Sequence, residues 1–287
     1  MTAWRTAVLT AVAMLAFAAN SLLCRLALQQ PVIDPASFSS VRLVSGALML
    51  ALIVRLRHDT QPVHADWVSA AMLWTYVACF SFAYLTLSAG TGALVLFGAV
   101  QLTMFGVGLR AGERFSATAW SGLALAFGGL VYLVSPGIAA PPPVGVVLMA
   151  AAGIAWGVYT LRGRSVPDPL AATAGNFLRA APIALAVNVL YAPWFELSPT
   201  GVALAVASGA LTSGVGYVVW YAALRGLTAL RAATVQLSVP PIAAFGAALF
   251  LSEPVTLRLW LASVAILGGV ALVLLARTLG LRPQSGP

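Results

Sequence analysis

The feature that most limits what this chain can fold into is a series of ten apolar segments. Each is close to the length of about 20 residues that an α-helix needs to cross the hydrocarbon core of a bilayer. In chain order, spans 1 to 10 cover residues 4–27, 35–54, 66–88, 91–109, 116–135, 142–161, 169–191, 199–223, 228–250 and 255–276. The polar stretches between them, such as "RLRHD" and "LSEPVT", are too short to form an extramembrane domain.

Composition supports the same conclusion. Hydrophobic residues make up 61% of the 287 positions and charged residues only 8%, whereas a soluble domain carries about 25% charged residues. The apolar segments do not alternate in polarity as the strands of a membrane β-barrel do. The sequence therefore predicts an all-α polytopic membrane protein with ten transmembrane helices.

The basic residues, all of them arginines, are distributed unevenly between the two ends of the spans. Only Arg25 and Arg258 fall on the side opposite the N-terminus. The side that holds the N-terminus carries Arg5, Arg55, Arg57, Arg110, Arg114, Arg162, Arg164, Arg225, Arg231, Arg277 and Arg282. Because arginines concentrate on the cytoplasmic side of membrane proteins, both termini are predicted to be cytoplasmic. The net charge of +8 is thus a topology signal, and no nucleic-acid partner is expected.

The first span has to be distinguished from a cleavable signal peptide. It begins with a basic residue and contains an Ala16-Phe17-Ala18 triplet that resembles a cleavage site. The apolar run nevertheless continues to Leu28, beyond the usual length of a signal peptide, and its removal would leave a later repeat without its partner. We therefore expect an uncleaved first helix.

An internal repeat relates the two halves of the chain. The segments "GERFSATAWSGLALAFGGLVYLV" and "SEPVTLRLWLASVAILGGVALVL" align without gaps at an offset of 140 residues. The matched pairs, all at offsets between 135 and 140, include Arg42 with Arg179, Gln101 with Gln236, Glu113 with Glu253, Trp120 with Trp260, and Gly128-Gly129 with Gly268-Gly269. This order predicts two five-helix repeats, 1–138 and 139–287, with the paired glycines at close helix contacts.

A repeat of five helices ends on the opposite side of the membrane from its start, so the second copy must be inserted upside down. The arginines agree, since the loop after span 2 is basic and the one after span 7 is not. Inverted repeats are a recurring plan of secondary transporters, with a substrate site near the midplane and alternating access between the halves.

These features resemble the drug/metabolite transporter superfamily, in particular its ten-helix exporters built from two EamA-type repeats. The motifs that carry the resemblance are "VR" and "LR" in spans 2 and 7, "TGALVLFGAVQL", "TALRAATVQLSVPPIAAFGAALFLSEPVT" and the double glycines. The resemblance covers nearly the whole chain. It implies a secondary transporter that exports amino acids, aromatic and other, across the bacterial inner membrane. The alternative that it implies is export of other small metabolites or of cationic drugs such as methyl viologen.

Amides and aromatic residues inside the spans are the candidates for a substrate cavity. Gln101 and Gln236 are predicted to face one another across a central cavity, and Pro240 and Pro241 are predicted to kink or break span 9. The complete candidate set is Asn20, Tyr76, Tyr84, Gln101, Trp156, Tyr159, Tyr217, Tyr221 and Gln236. Two other interpretations remain open, because buried amides also bridge helices and aromatic residues also form interfacial belts.

Charged groups at membrane depth are few. Arg42 and Arg179 are the only charges well inside spans, and each has either a structural or a carboxylate-binding role. All acidic residues and both histidines, His58 and His64, lie in loops or at helix ends. We therefore expect either facilitated diffusion or coupling without a buried carboxylate. Glu113 and Glu253 are expected to help cap the starts of spans 5 and 10, beside the N-cap candidates Ser116 and Thr256, and the alternative for both is contact with substrate.

Other function classes are less well supported by the sequence. No span carries the nucleophile, base or metal ligands of an intramembrane enzyme, and Cys24 and Cys79 are expected to pack as small hydrophobic residues. No catalytic residue, metal or cofactor is therefore predicted, and the expected partners are a small-molecule substrate and the lipid bilayer. A receptor or assembly subunit without transport stays open. The oligomeric state also stays open, and a monomer suffices for this plan.

Overall fold

The fold is a bundle of antiparallel helices. The computed structural model describes residues 2–30, 32–57, 65–112, 115–137, 140–163, 166–227, 232 and 235–280, with side chains described up to residue 276. The predictions for His58, His64, Glu113, Arg114, Arg164, Arg231, Arg277 and Arg282 fall outside this part. The helices are α1 (Ala3–Gln29), α2 (Pro35–Leu56), α3 (Trp67–Ala83), α4 (Ala89–Arg110), α5 (Ala117–Val134), α6 (Pro143–Gly163), α7 (Pro169–Leu190), α8 (Pro199–Leu224), α9 (Val239–Phe250) and α10 (Leu257–Gly280).

The prediction of an all-helical, multi-pass membrane protein is confirmed. Within the described ranges, eight helices are long and apolar enough to cross a membrane, whereas α3 and α9 are shorter apolar helices. Span 3 is shortened because the helix gives way to a turn after Ala83. In span 9 a turn at Leu237 and Ser238 precedes α9. Pro240 and Pro241 then lie in the first helical turn, where a missing N–H leaves no hydrogen bond unmade.

Most helix starts carry a side-chain cap of the kind that the sequence favours. Asp34 and Asp168 accept hydrogen bonds from the first backbone N–H groups of α2 and α7, and each precedes a proline. Ser116 caps α5, and Thr256 accepts the N–H of Leu259 at the start of α10. The two N-cap predictions are therefore confirmed.

The larger helix interfaces come in pairs that are related by a shift of five helices. The contact between α3 and α6 corresponds to the contact between α8 and α1, and the contact between α4 and α6 corresponds to the contact between α9 and α1. α3 packs on α7 as α2 packs on α8. Three further interfaces, α2 with α7, α4 with α9 and α5 with α10, pair each helix with its own counterpart.

The two self-paired interfaces for which contacts define direction are antiparallel. Ser40, near the start of α2, is hydrogen-bonded to Asn188, near the end of α7. Likewise, a Cβ placed on Gly122 early in α5 would lie 3.0 Å from the Val273 nitrogen, whereas one on Gly129, further along α5, would lie 2.8 Å from the Cβ of the earlier residue Ala265 in α10. An element and its counterpart thus run in opposite directions through the bundle.

Close packing at the paired glycines is confirmed for one glycine of each pair. A Cβ on Gly129 would lie 2.8 Å from the Ala265 Cβ, and Gly269 meets the backbone of α5. Gly128 and Gly268 instead face open space, with nothing within 4 Å, so the prediction was wrong for them. The reason is geometric: adjacent residues on a helix point about 100° apart, and only one of two neighbours can face the partner.

Candidate functional site

A cavity of about 310 Å³ lies between α3, α4, α6, α7 and α8 and the residues just before α9. It reaches the face of the bundle that holds the start of α1, since its outer rim is made by Asp66, Arg162 and Val166. Six of the sequence candidates line it, namely Gln101, Trp156, Tyr159, Tyr217, Tyr221 and Gln236. The volume is within the range of about 300–1,000 Å³ that small-molecule sites occupy.

Trp156 is the centre of the aromatic wall. Its ring stacks on Tyr159 of the same helix, with centroids 5.5 Å apart, and on Tyr217 of α8, also at 5.5 Å. Tyr76 from α3 approaches the opposite edge at 4.9 Å. Rings from three helices therefore form one continuous apolar surface, of the kind that can hold an aromatic or aliphatic group or face a cation.

Polar groups on α7 complete the lining, and sequence reasoning missed them. The Thr173 hydroxyl lies 3.2 Å from the Tyr159 hydroxyl and 2.9 Å from that of Tyr221. The Asn176 amide nitrogen lies 3.5 Å from the Tyr159 hydroxyl. The spacing of three residues between Thr173 and Asn176 puts them on one helix face, and this signal could have identified them.

The two glutamines occupy the same cavity. Gln101 projects from α4 and Gln236 from the segment before α9, and α9 itself packs on α4. The Gln236 side-chain nitrogen donates to the Ala232 carbonyl at 3.3 Å, so its amide oxygen remains as an acceptor toward the cavity.

The mouth of the cavity is organised around Asp66. This residue caps α3 through Ser69, and its carboxylate accepts a hydrogen bond from Arg162 Nη2 at 3.0 Å. Burial acts to raise the pKa of Asp66, but hydrogen bonds from Ser69 and the charge of Arg162 outweigh it, so the pKa lies below its ordinary value. Asp66 is thus an anion at neutral pH.

A pH prediction follows from this pair. The stability that the Asp66 charge contributes is present above the pKa of an unfolded Asp, about 3.9, and is lost as the pH falls through the lower folded-state pKa. We expect the Tm difference between wild type and Asp66→Asn, in detergent, to be constant from about pH 8 to pH 5 and to shrink below about pH 4. Asn keeps the capping acceptor, so the comparison isolates the charge.

The matched control is Asp168→Asn at the cap of α7, where the carboxylate accepts the backbone N–H groups of Leu170 and Ala171. Its Tm difference is expected to be smaller, because Asp66 has an arginine partner as well. A Tm difference for Asp66→Asn that changes between pH 8 and pH 5 would contradict the lowered pKa.

A second, smaller cavity of about 30 Å³ adjoins the first, deeper in the bundle. Trp156, Tyr217 and Gln236 line both cavities, so the two adjoin at these side chains. The smaller one is also lined by the sequence candidates Asn20 and Tyr76, and by Arg42.

Arg42 is 1% exposed and is held between side chains of α3 and α8. Its Nε donates to the Ser213 hydroxyl at 3.3 Å and its Nη2 to the Tyr76 hydroxyl at 3.1 Å. The guanidinium carbon lies 5.2 Å from the Tyr76 ring centre and 5.1 Å from that of Phe80, which is cation–π distance.

A π-helical stretch, Ala207–Val215, interrupts α8 beside Arg42 and Asn20. The Asn20 side-chain oxygen accepts hydrogen bonds from Ser208 at 2.7 Å and Thr212 at 3.2 Å, both in this stretch. π-Helical turns are rare and concentrate at functional sites. The presence of one at the wall of the smaller cavity therefore supports a functional role for that cavity.

Tyr84 and Arg179 lie apart from both cavities, unlike the other candidates. The Tyr84 ring is fully buried against Gly92 and Phe80, and its hydroxyl donates to the Ala89 carbonyl. Arg179 is half-exposed and donates to the Gly175 carbonyl of its own helix at 3.2 Å. Neither side chain is placed to contact a solute in the cavities.

On the face opposite the cavity mouth, an ion pair and two further hydrogen bonds join α1 to the turn after α3 and to the start of α4. Arg25 on α1 donates to Glu253 at 2.8 Å and to the Tyr84 carbonyl at 2.8 Å. The second Glu253 oxygen accepts the N–H of Ala89, the first residue of α4, at 2.8 Å. The expectation that Glu253 assists the start of α10 is therefore wrong, because its carboxylate faces α1 and α4.

In the described part of the chain, no group of three or more His, Cys, Asp or Glu side chains could hold a metal ion. Cys24 is buried and Cys79 half-buried, both as free thiols.

Comparison with known proteins gives a consistent result. The model of the EamA-like transporter family matches residues 143–275. An uncharacterized protein of Pseudomonas aeruginosa is 53% identical over 274 residues, covering 95% of this chain and 96% of the relative. An uncharacterized transporter of Archaeoglobus fulgidus is 27% identical, covering 87% of this chain and 90% of the relative. A solved crystal structure, 19% identical, covers 96% of this chain and 99% of its own, with a TM-score of 0.68, and so has the same fold.

Proposed function

Since the chain belongs to the EamA-like transporter family of the drug/metabolite transporter superfamily, we propose that it exports amino acids, aromatic and other, across the bacterial inner membrane. The observation that carries this proposal is the cavity of about 310 Å³ lined by stacked aromatic rings, amides and hydroxyls. Such a lining suits an amphiphilic solute, because the rings receive its apolar part while the amides exchange hydrogen bonds with its polar part.

The proposed architecture is ten transmembrane helices in two inverted repeats, 1–138 and 139–287, with both termini in the cytoplasm. It is supported by the antiparallel course of counterpart helices and by the pairing of interfaces across a shift of five helices. In this arrangement the cavity opens toward the cytoplasm, on the side of Asp66 and Arg162. The Arg25–Glu253 pair closes the periplasmic side.

Transport by alternating access follows from this asymmetry. One half of the bundle rocks against the other, the mouth at Asp66 closes, and the contacts at Arg25 open. The acidic residues near the pathway, Asp66 and Glu253, lie at its two ends, so the proposal includes no buried carboxylate as a proton carrier.

The test uses the purified full-length protein in liposomes preloaded with unlabelled amino acid, with uptake of labelled phenylalanine and leucine by counterflow. Uptake well above that of empty liposomes, and independent of an imposed pH gradient, is the expected result. Strict dependence of uptake on the pH gradient would overturn facilitated diffusion as the mechanism of transport. Uptake of labelled methyl viologen that amino acids do not reduce would favour the alternative substrate class.

A further inference from the structure

The smaller cavity holds a buried cation that has unused hydrogen-bonding capacity. Arg42 Nη1 is buried and has no hydrogen-bond partner, although Nε and Nη2 are both engaged. Among the residues that the structure describes, no Asp or Glu lies within ion-pair distance of this guanidinium. A charge removed from water costs free energy unless an opposite charge or hydrogen bonds compensate it.

The arginine is oriented rather than loosely placed. Ser213 and Tyr76 hold two of its nitrogens, and the Tyr76 and Phe80 rings flank it, so the direction of the remaining N–H groups is set by contacts from α3 and α8. An arginine with a purely structural role donates hydrogen bonds to backbone carbonyls, as Arg179 does to that of Gly175. The hydrogen bonds of Arg42 go to side-chain hydroxyls instead.

The space beside Arg42 is suited to a small polar group. The cavity of about 30 Å³ is about twice the space that a single water molecule requires, so it has room for a small polar group. Asn20 also lines it, and since the Asn20 side-chain oxygen is occupied by Ser208 and Thr212, the group that this side chain can offer is its NH₂ donor. Donors with an excess of positive charge favour an anion with two acceptor oxygens.

We infer that Arg42 binds the carboxylate of the transported solute. This inference rests on the proposed function and gives the substrate class more closely: amphiphilic carboxylates, with the carboxylate in the smaller cavity and the apolar part along Trp156 and Tyr217 in the larger one. The two cavities adjoin at Trp156 and Tyr217, and in this inference one small molecule lies along these rings with its two ends in the two cavities. The buried positive charge disfavours dications such as methyl viologen.

The experiment compares three probes that differ at one group each: L-phenylalanine, phenylalaninamide, which lacks the carboxylate, and 3-phenylpropionate, which lacks the ammonium. Affinity is measured on the purified full-length protein by competition against labelled phenylalanine and by tryptophan fluorescence. The wild type is expected to bind both carboxylates at least tenfold more tightly than phenylalaninamide. Arg42→Gln should weaken carboxylate binding by about 30-fold or more and leave phenylalaninamide unchanged.

Arg179→Gln is the matched control, since it removes the same group at the corresponding position of the second repeat without reaching either cavity. It is expected to leave the affinities for all three probes unchanged. If Arg42→Gln does not fold, Arg42→Lys replaces it. Because lysine lacks the planar guanidinium, we expect its affinity for the two carboxylate probes to fall at least about fivefold and its affinity for phenylalaninamide to stay unchanged.

Three outcomes separate this inference from the proposed function. Equal loss for all three probes in Arg42→Gln, or equal affinity of the wild type for phenylalanine and its amide, overturns the inference and leaves amino-acid transport standing. Failure of all three probes to bind the folded wild type overturns both. A loss of affinity in Arg42→Gln that is confined to phenylalanine and 3-phenylpropionate supports both the inference and the proposed function.

Discussion

Valine in place of Gly209 is expected to prevent formation of the folded transporter, whereas valine in place of Gly268 is expected to leave it folded. Gly209 lies in the π-helical stretch of α8, and a Cβ there would overlap the Ser45 hydroxyl and the Arg42 carbonyl oxygen and would lie 2.9 Å from the Arg42 carbonyl carbon. Because a backbone atom cannot turn aside as a side chain can, α2 and α8 would have to move apart.

The size of this effect follows from overpacking. Forcing extra carbon atoms into a packed interior costs about 1–3 kcal/mol, and a clash with backbone belongs at or beyond the upper end of that range. Gly268 on α10 has nothing within 4 Å of its would-be Cβ, so the same substitution there meets no obstacle. Both are glycines in a helical context, and the helix propensity change is therefore similar.

The measurement is the yield of monodisperse protein in detergent by size-exclusion chromatography, followed by its Tm. Gly209→Ala introduces the same overlapping Cβ without the two further methyl groups of valine, so its yield and Tm should fall between those of Gly209→Val and the wild type. The protein that folds should bind phenylalanine more weakly, because the displaced backbone is that of Arg42. A Gly209→Val protein with the yield and Tm of Gly268→Val would show that α2 and α8 do not pack as described.

The fold could be predicted from the sequence to the extent that it depends on local patterns. Apolar segments of about 20 residues, capping residues and turn-forming stretches mark most helices within a few positions. What these patterns cannot give is the rotation of each helix about its own axis. Arg42 and Arg179 occupy matching positions, but only Arg42 faces inward, because Ser213 and Tyr76 on other helices contact it.

The same limit explains the errors in the candidate site. Tyr76 and Tyr84 both lie in span 3, yet one lines the smaller cavity and the other is buried near the opposite face. Thr173 and Asn176 were overlooked because small polar residues in an apolar helix are typical of helix packing. The π-helical stretch, Ala207–Val215, has no sequence signature of its own, since it forms where Asn20 and α2 meet α8.

Removal of the charge at Glu253 is expected to open the closed face of the bundle. Glu253 joins α1 to α4 by accepting from Arg25 and from the Ala89 N–H, and the two charged side chains are only 16% and 10% exposed. These contacts exist in the state described here, and the alternating access that we propose requires them to break. Their loss therefore destabilises this state relative to the one that is open toward the Arg25 face.

The expected shift is large. Breaking a fully buried pair costs about 3–5 kcal/mol, and with partial exposure we expect on the order of 2 kcal/mol, which changes the population ratio about 30-fold. Cys24, next to Arg25 and fully buried, is a native reporter of this opening. In a Cys79→Ser background, a membrane-impermeant maleimide applied to the outer face of spheroplasts should label Cys24 at least tenfold faster in Glu253→Gln than in the parent protein.

Glu196→Gln is the matched control, because it makes the same chemical change near the same face on an exposed side chain. The contacts of Glu196 with Asp34 use its backbone N–H and carbonyl, which the substitution retains. Labelling of Cys24 should stay at the level of the parent protein in this variant. Equal labelling in Glu196→Gln and Glu253→Gln would mean that the Arg25–Glu253 pair does not hold the face closed, since only one of the two carboxylates joins α1 to α4.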